Sequence, residues 1–164
     1  MTPLKKLGEL LVGHGAITAA QMENALALQK TTGEFLGFLL VRVGWITQEQ
    51  LVDAFSEQFG IPRMPWEDFP VDWSVADQFP MALISGHASF PVQMDETVLT
   101  VVIANPLDAW AVSAFEKAAK SKGRKLKLML ATGTEIAGAV RRHNQISLRK
   151  VRQLFGGDHA KQKD

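Results

Sequence analysis

The chain of 164 residues contains no cysteine. That excludes a disulfide scaffold, thiolate metal ligands and a thiol nucleophile, and it fits a reducing cytoplasm. Net charge is only +1, so no global field steers the protein toward nucleic acid or acidic lipid. No apolar run approaches the roughly 20 residues that span a bilayer, and the opening "MTPLKKLGELL" is too short and too soon interrupted for a signal peptide. Nowhere does the pattern Gly-x-x-x-x-Gly-Lys-Ser/Thr occur, so the chain lacks a phosphate-cradling loop for ATP. His14, His87, His143 and His159 are scattered without metal-ligand spacing. No nucleophile–base pair stands out. These absences point away from an enzyme and toward a cytoplasmic protein without a metal or cofactor that does not insert into membranes.

What is present is a core and a repeat. Apolar residues make up 46% of the chain, enough to bury a real core in one ordinary domain or two small ones. Lys6–Gln29 aligns with Phe35–Gln58 across a spacer of five residues, and 11 of the 24 positions are identical. Each copy reads as two helices. Leu7, Leu10 and Leu11, then Leu36, Leu39 and Leu40, recur at helical spacing. Gly15 and Gly44 follow, and then come the capping-box patterns opened by Thr18 and Thr47, with Gln21 and Gln50 three residues on. Thr2-Pro3 predicts the start of the first helix. Gly33 and Gly60 predict the ends of the second helices.

Gly8 and Gly37 interrupt helix-like patterns, where glycine costs about 1 kcal/mol relative to alanine. Close helix packing and close approach of a ligand explain them equally well. Gln29 and Gln58 end apolar stripes, either as solvated helix ends or as polar readers of a ligand.

The expected architecture is α+β: a duplicated N-terminal helical unit over 1–61, a Pro/Trp connector over 62–80, a small α/β subdomain with about three strands over 81–155, and a flexible tail over 156–164. In the connector, Trp66 and Trp73 predict aromatic anchoring, with a short helix at Trp73–Gln78. Met81–Ser85 predicts a short helix, and Ala88–Gln93 and Thr97–Ile103 predict strands around Met94-Asp95-Glu96. Asp95 and Glu96 read as solvated. Asp108 can cap a helix to Ser121, Lys125–Leu130 predicts a third strand, and Thr132 or Thr134 can cap a helix through Gln145 that Ser147–Phe155 extends or follows. Two basic groups, Lys117–Lys127 and Arg141–Arg152, are solvated faces or docking surfaces for an acidic partner. The neutral net charge argues against nucleic acid.

The doubled motif resembles the MshEN domain: "LG", two apolars, a spaced glycine, a spaced Leu/Met and a final Gln, 24 residues long and twice over. That domain is the amino-terminal regulatory part of type II secretion and type IV pilus assembly ATPases, and it binds cyclic di-GMP. The stretch "FPVQMDETVLTVVIANPLDAWAV" looks like the family's following α/β subdomain. The resemblance implies a bacterial signalling module whose partners are cyclic di-GMP and a secretion or pilus ATPase or platform protein. It implies a first half-site of Lys6, Leu7, Gly8, Leu11, Val12, Gly15, Ile17, Met22, Leu26 and Gln29. The second would comprise Phe35, Leu36, Gly37, Leu40, Val41, Gly44, Ile46, Leu51, Phe55 and Gln58. Asp108 would orient Lys6 or touch the ligand, or simply cap its helix. The family opens each motif with arginine, which can stack on a base and donate a planar fork. Lys6 keeps the charge without the plane, and Phe35 keeps a plane without the charge. These departures leave open an alternative: a protein-docking domain that keeps the scaffold without the nucleotide. The initiating Met and the untagged, charged C-terminus suggest a free-standing module.

Overall fold

A computed structural model describes residues 6–156. The expected helix start at Thr2-Pro3 and most of the 156–164 tail lie outside the described residues. The described fold is α+β, as expected. Four helices come first: α1 (Leu7–Gly13), α2 (Ala19–Thr32), α3 (Leu36–Arg42) and α4 (Gln48–Phe59). Both capping boxes form. Thr18 Oγ1 accepts from the Gln21 N–H at 3.1 Å, and Thr47 Oγ1 accepts from the Gln50 N–H at 3.1 Å. Gly33 and Gly60 end α2 and α4 in the left-handed region, at φ 69° and 65°, which glycine enters without a Cβ penalty.

The second part runs α5 (Met81–Gly86), β1 (Ser89–Met94), β2 (Val98–Ile103), α6 (Ala109–Ser121), β3 (Lys125–Leu130) and α7 (Gly133–Phe155). The sheet order is β1-β2-β3, with β1 antiparallel and β3 parallel to β2. Helix α6 supplies the crossover that a parallel pair requires. It packs on β2 and β3, while α7 packs on β1 and β2. Helix α4 reaches β3, and the buried side chains of both parts form one contiguous cluster. No described helix is long and apolar enough to cross a membrane.

Several boundaries differ from the expectations, each for a local reason. Strand β1 starts one residue late because Ala88 takes φ 40°, outside any strand conformation. Val92 is a bulge: Pro91 pairs with Val101 and Gln93 with Thr100. Asp95 is not merely solvated. Its Oδ1 accepts from the backbone N–H groups of Thr97 and Val98 at 2.7 and 2.8 Å, which closes the hairpin and holds its carboxyl below the ordinary range. The short helix expected at Trp73–Gln78 is a 3₁₀ turn over Val75–Gln78. Thr132, not Thr134, caps α7, which runs unbroken to Phe155.

The connector is stitched to the sheet. The Met64 N–H donates to Leu130 O and the Leu130 N–H to Pro62 O, both at 2.8 Å. Pro62 is tolerated because only its carbonyl is asked for. Trp73 packs against Phe90, with ring centroids 5.7 Å apart, under the Arg142 guanidinium at 5.0 Å.

Candidate functional site

The two motifs interlock. Helix α1 packs against α4 and α2 against α3, so each motif's first helix lies on the other's second. Lys6 and Phe35, the residues in the arginine positions, are the N-caps of α1 and α3. Both are exposed, and Phe35 keeps 49% of its surface in water.

Gly8 and Gly37 occupy equivalent contacts. A Cβ on Gly8 would stand 2.6 Å from Met22 Cε, and one on Gly37 would stand 2.4 Å from Leu51 Cδ1. Met22 and Leu51 are themselves equivalent in the repeat. Each glycine therefore admits the second helix of its own motif. Gly37 is buried, and a Cβ there would also stand 3.2 Å from Leu7 Cδ2, whereas Gly8 is half-buried.

The 21 candidate residues fall into three groups. Leu7, Leu11, Ile17, Gly37, Leu40, Ile46, Leu51 and Phe55 are buried in the core. Gly8, Val12, Met22, Gln29, Leu36, Val41, Gln58 and Asp108 are half-buried. Lys6, Gly15, Leu26, Phe35 and Gly44 are exposed. The two glutamines diverge. Gln29 Nε2 donates to Glu34 O at 3.1 Å and ties the inter-motif spacer to α2. Gln58 Oε1 is shielded from water and has no partner among the described residues.

Two cavities touch the motifs. One, of about 130 Å³, includes Val41, Leu51 and Phe38 on one wall and Ala104, Ala131 and Gly133 on the other. It lies where α3 and α4 meet the carboxyl ends of the parallel strands β2 and β3, the customary place for a ligand in such sheets. The other, of about 310 Å³, lies between α1 and α4. Its lining includes Leu11, Ala54, His14, Asp53 and Glu57. His14 Nε2 meets Glu57 Oε2 there at 2.6 Å. The carboxylates make this second cavity a poor host for an anion.

Asp108 caps α6, with Oδ1 accepting from the Ala111 N–H at 3.0 Å, and its Oδ2 meets His87 Nδ1 at 2.7 Å. Lys6 is not among its partners. Burial alone would raise the Asp108 carboxyl. The Ala111 N–H and then the His87 bond outweigh it and hold the group below its ordinary range. A depressed carboxylate stabilises the fold above its unfolded pKa of about 3.9, and that gain is lost as pH falls through the folded value. Asp108→Ala will cost about 1 kcal/mol at neutral pH. Thermal melts across the acid range will show the gap to wild type closing below about pH 4. A gap that is unchanged there would remove the carboxylate from the explanation.

Sequence reading missed the residue that joins the two parts. Arg63 donates to Asp53 at 3.0 Å, to Glu135 at 3.3 Å and to Glu49, bridging α4 to the start of α7. Beside it, Gln48 Oε1 accepts from the Thr134 N–H and hydroxyl at 3.3 and 3.2 Å. These partners lie up to 86 residues apart, and no local pattern signals them.

Interlocked helical repeats on a three-stranded mixed sheet define a small α+β module. The chain belongs to the MshEN domain family, whose model matches residues 59–150. That match falls on the connector and the α+β part, beyond the two motifs. Over 138 residues, 84% of this chain, it is 28% identical to the type IV pilus assembly ATPase PilB of Myxococcus xanthus. The PilB of Thermus thermophilus is 30% identical over 68% of the chain. Bacteriophage adsorption protein B of Escherichia coli K12 is 25% identical over 84%. The chain spans only 24%, 13% and 18% of these three relatives. Among solved structures, MshE with cdg matches at TM-score 0.72 and 25% identity, over 85% of this chain and 99% of that one. The N-terminal domain of XpsE shares the fold at TM-score 0.65 and 20% identity, over 83% of this chain and 92% of that one.

Proposed function

We propose that the chain is a cytoplasmic, non-catalytic sensor that binds cyclic di-GMP through its two motifs and reports to a type II secretion or type IV pilus machine. The observation that carries this reading is the likeness to MshE with cdg over 99% of that chain, joined to the doubled motif here. The buried leucines and isoleucines would then shape the site from behind. The surface would come from Lys6, Gly8, Val12, Gly15, Met22, Leu26 and Gln29, and from Phe35, Leu36, Val41, Gly44 and Gln58. The unpartnered Gln58 Oε1 suits a guanine N–H donor, because an unmet buried polar group costs about 1–3 kcal/mol. Ligand seated across both motifs would favour one packing of α1 and α2 against α3 and α4. Through Arg63 and Gln48 that choice would reach α7.

A second reading is a docking domain that has lost the nucleotide. Phe35 in an arginine position favours it, because no charge-assisted fork is available there.

Calorimetric titration with cyclic di-GMP separates the two. The sensor reading expects saturable heat and a raised melting temperature. No heat and no thermal shift at high-micromolar ligand would leave only the docking reading. Phe35→Arg should tighten binding about tenfold, the worth of one net charge-assisted hydrogen bond. An unresponsive variant that melts like wild type would remove Phe35 from the site.

A further inference from the structure

The net charge of +1 conceals a one-sided helix. Between Glu135 and Asp158 there is no acidic residue, while Arg141, Arg142, Arg149, Lys150 and Arg152 supply five cations. None of them forms an ion pair among the described residues. Only the first half of α7 is held by the body: its buried residues are Ile136, Ala139 and His143. The last two turns run on for about 12 Å with their apolar side chains in water. Leu148 is 58% exposed, Val151 50%, Leu154 79% and Phe155 74%.

Leu148, Val151 and Phe155 recur at three- and four-residue steps on one stripe, and Leu154 flanks it. At about 100° per residue, Lys150 lies about 40° beyond Leu154 on one border and Arg152 about 40° beyond Leu148 on the other. Arg149 fills the opposite side. Arg141 and Arg149 line a groove of about 440 Å³ together with Arg142 and Gln145, and no acid takes part.

We propose that the carboxyl-terminal half of α7 is a docking face for an anionic lipid surface. Three features select that occupant. Apolar residues at the free end can enter the interface, and cations along both borders of the stripe can reach up to the phosphates by their aliphatic stems. The polar face carries one sign only. A basic cluster on an amphipathic helix suits acidic lipid, which demands charge without register. A second copy is disfavoured, because pairing two such helices brings cations together with no acid between them. The binding is peripheral and does not depend on the nucleotide reading.

The test is flotation of the full chain with phosphatidylcholine vesicles containing phosphatidylglycerol, against phosphatidylcholine alone. Partition onto the anionic vesicles should be at least about tenfold stronger and should fall with added salt. Leu154→Glu with Phe155→Glu, and separately Lys150→Glu with Arg152→Glu, should each remove it by about the same factor. These side chains are exposed, so both variants should melt like wild type. Equal partition onto both vesicle types, or variants that still float, would overturn the assignment. So would absence of binding, whether light scattering then finds a dimer through this stripe or an acidic protein is its real partner.

Discussion

Phe55→Ala will lower the unfolding free energy by about 3–5 kcal/mol, the usual cost of emptying a fully buried phenylalanine site. Phe55 is 1% exposed. Its ring lies 6.5 Å from that of Phe38 and 6.1 Å from that of Phe59, so the vacated space is walled by side chains that are already packed. It stands on α4, the helix that touches α1, α3 and β3. The loss should therefore appear as one cooperative transition displaced downward by about 10 °C, not as early melting of the amino-terminal helices alone. The control is its repeat-equivalent, Leu26, which is 42% exposed. Leu26→Ala should stay within about 0.5 kcal/mol. A small effect at Phe55, or equal effects at the two positions, would mean that α4 is not the keystone described here. The pair also bears on function. The motif treats positions 26 and 55 as one site residue twice, but only Leu26 has surface to offer a ligand.

That asymmetry marks where the sequence was legible and where it was not. Local chemistry carried well. The Thr18 and Thr47 boxes, the Asp108 and Thr132 caps and the left-handed glycines at 33 and 60 all depend on neighbours within a few residues. Strand β3 was legible for the same kind of reason, from alternation of exposed Lys125 and Lys127 with half-buried Leu126 and Leu128. Which member of a repeated pair faces the core depends on what the rest of the chain brings. The sheet and connector cover α4, whose buried residues are Leu51, Val52, Ala54 and Phe55, whereas α2 buries only Ala25. The stripe of Met22, Ala25, Leu26 and Gln29 could not reveal that nothing comparable covers it. Long-range electrostatics were equally hidden. Arg63 with Glu135, His87 with Asp108, and His143 with Asp77 at 2.8 Å are joined across 21 to 72 residues. The candidate site shows the same limit. The motif predicts which residue types gather, but burial divides them into eight that shape the core, eight that are half-buried and five that are open to solvent.

Gly37→Leu will cost about 2–3 kcal/mol, and the reason decides what the motif glycines are for. The new side chain must enter space held by Leu51 and Leu7, which are 3% and 8% exposed. Neither has room to retreat, and overpacking of this kind costs about 1–3 kcal/mol or more. At Gly8 the obstacle is Met22, half-buried, unbranched and flexible. Gly8→Ala should swing that thioether aside and recover part of the roughly 1 kcal/mol that glycine forfeits in a helix. Melting temperature should then fall clearly for Gly37→Leu and hold or rise for Gly8→Ala. Were the glycines present only so that a guest can approach the backbone, neither change would lower the melting temperature, and both would weaken cyclic di-GMP in the titration. If packing is their main work, stability separates the two sites while Gly8→Ala keeps whatever affinity the wild type has. A stable Gly37→Leu variant would contradict the contact between α3 and α4 on which this account of the interlocked repeat rests.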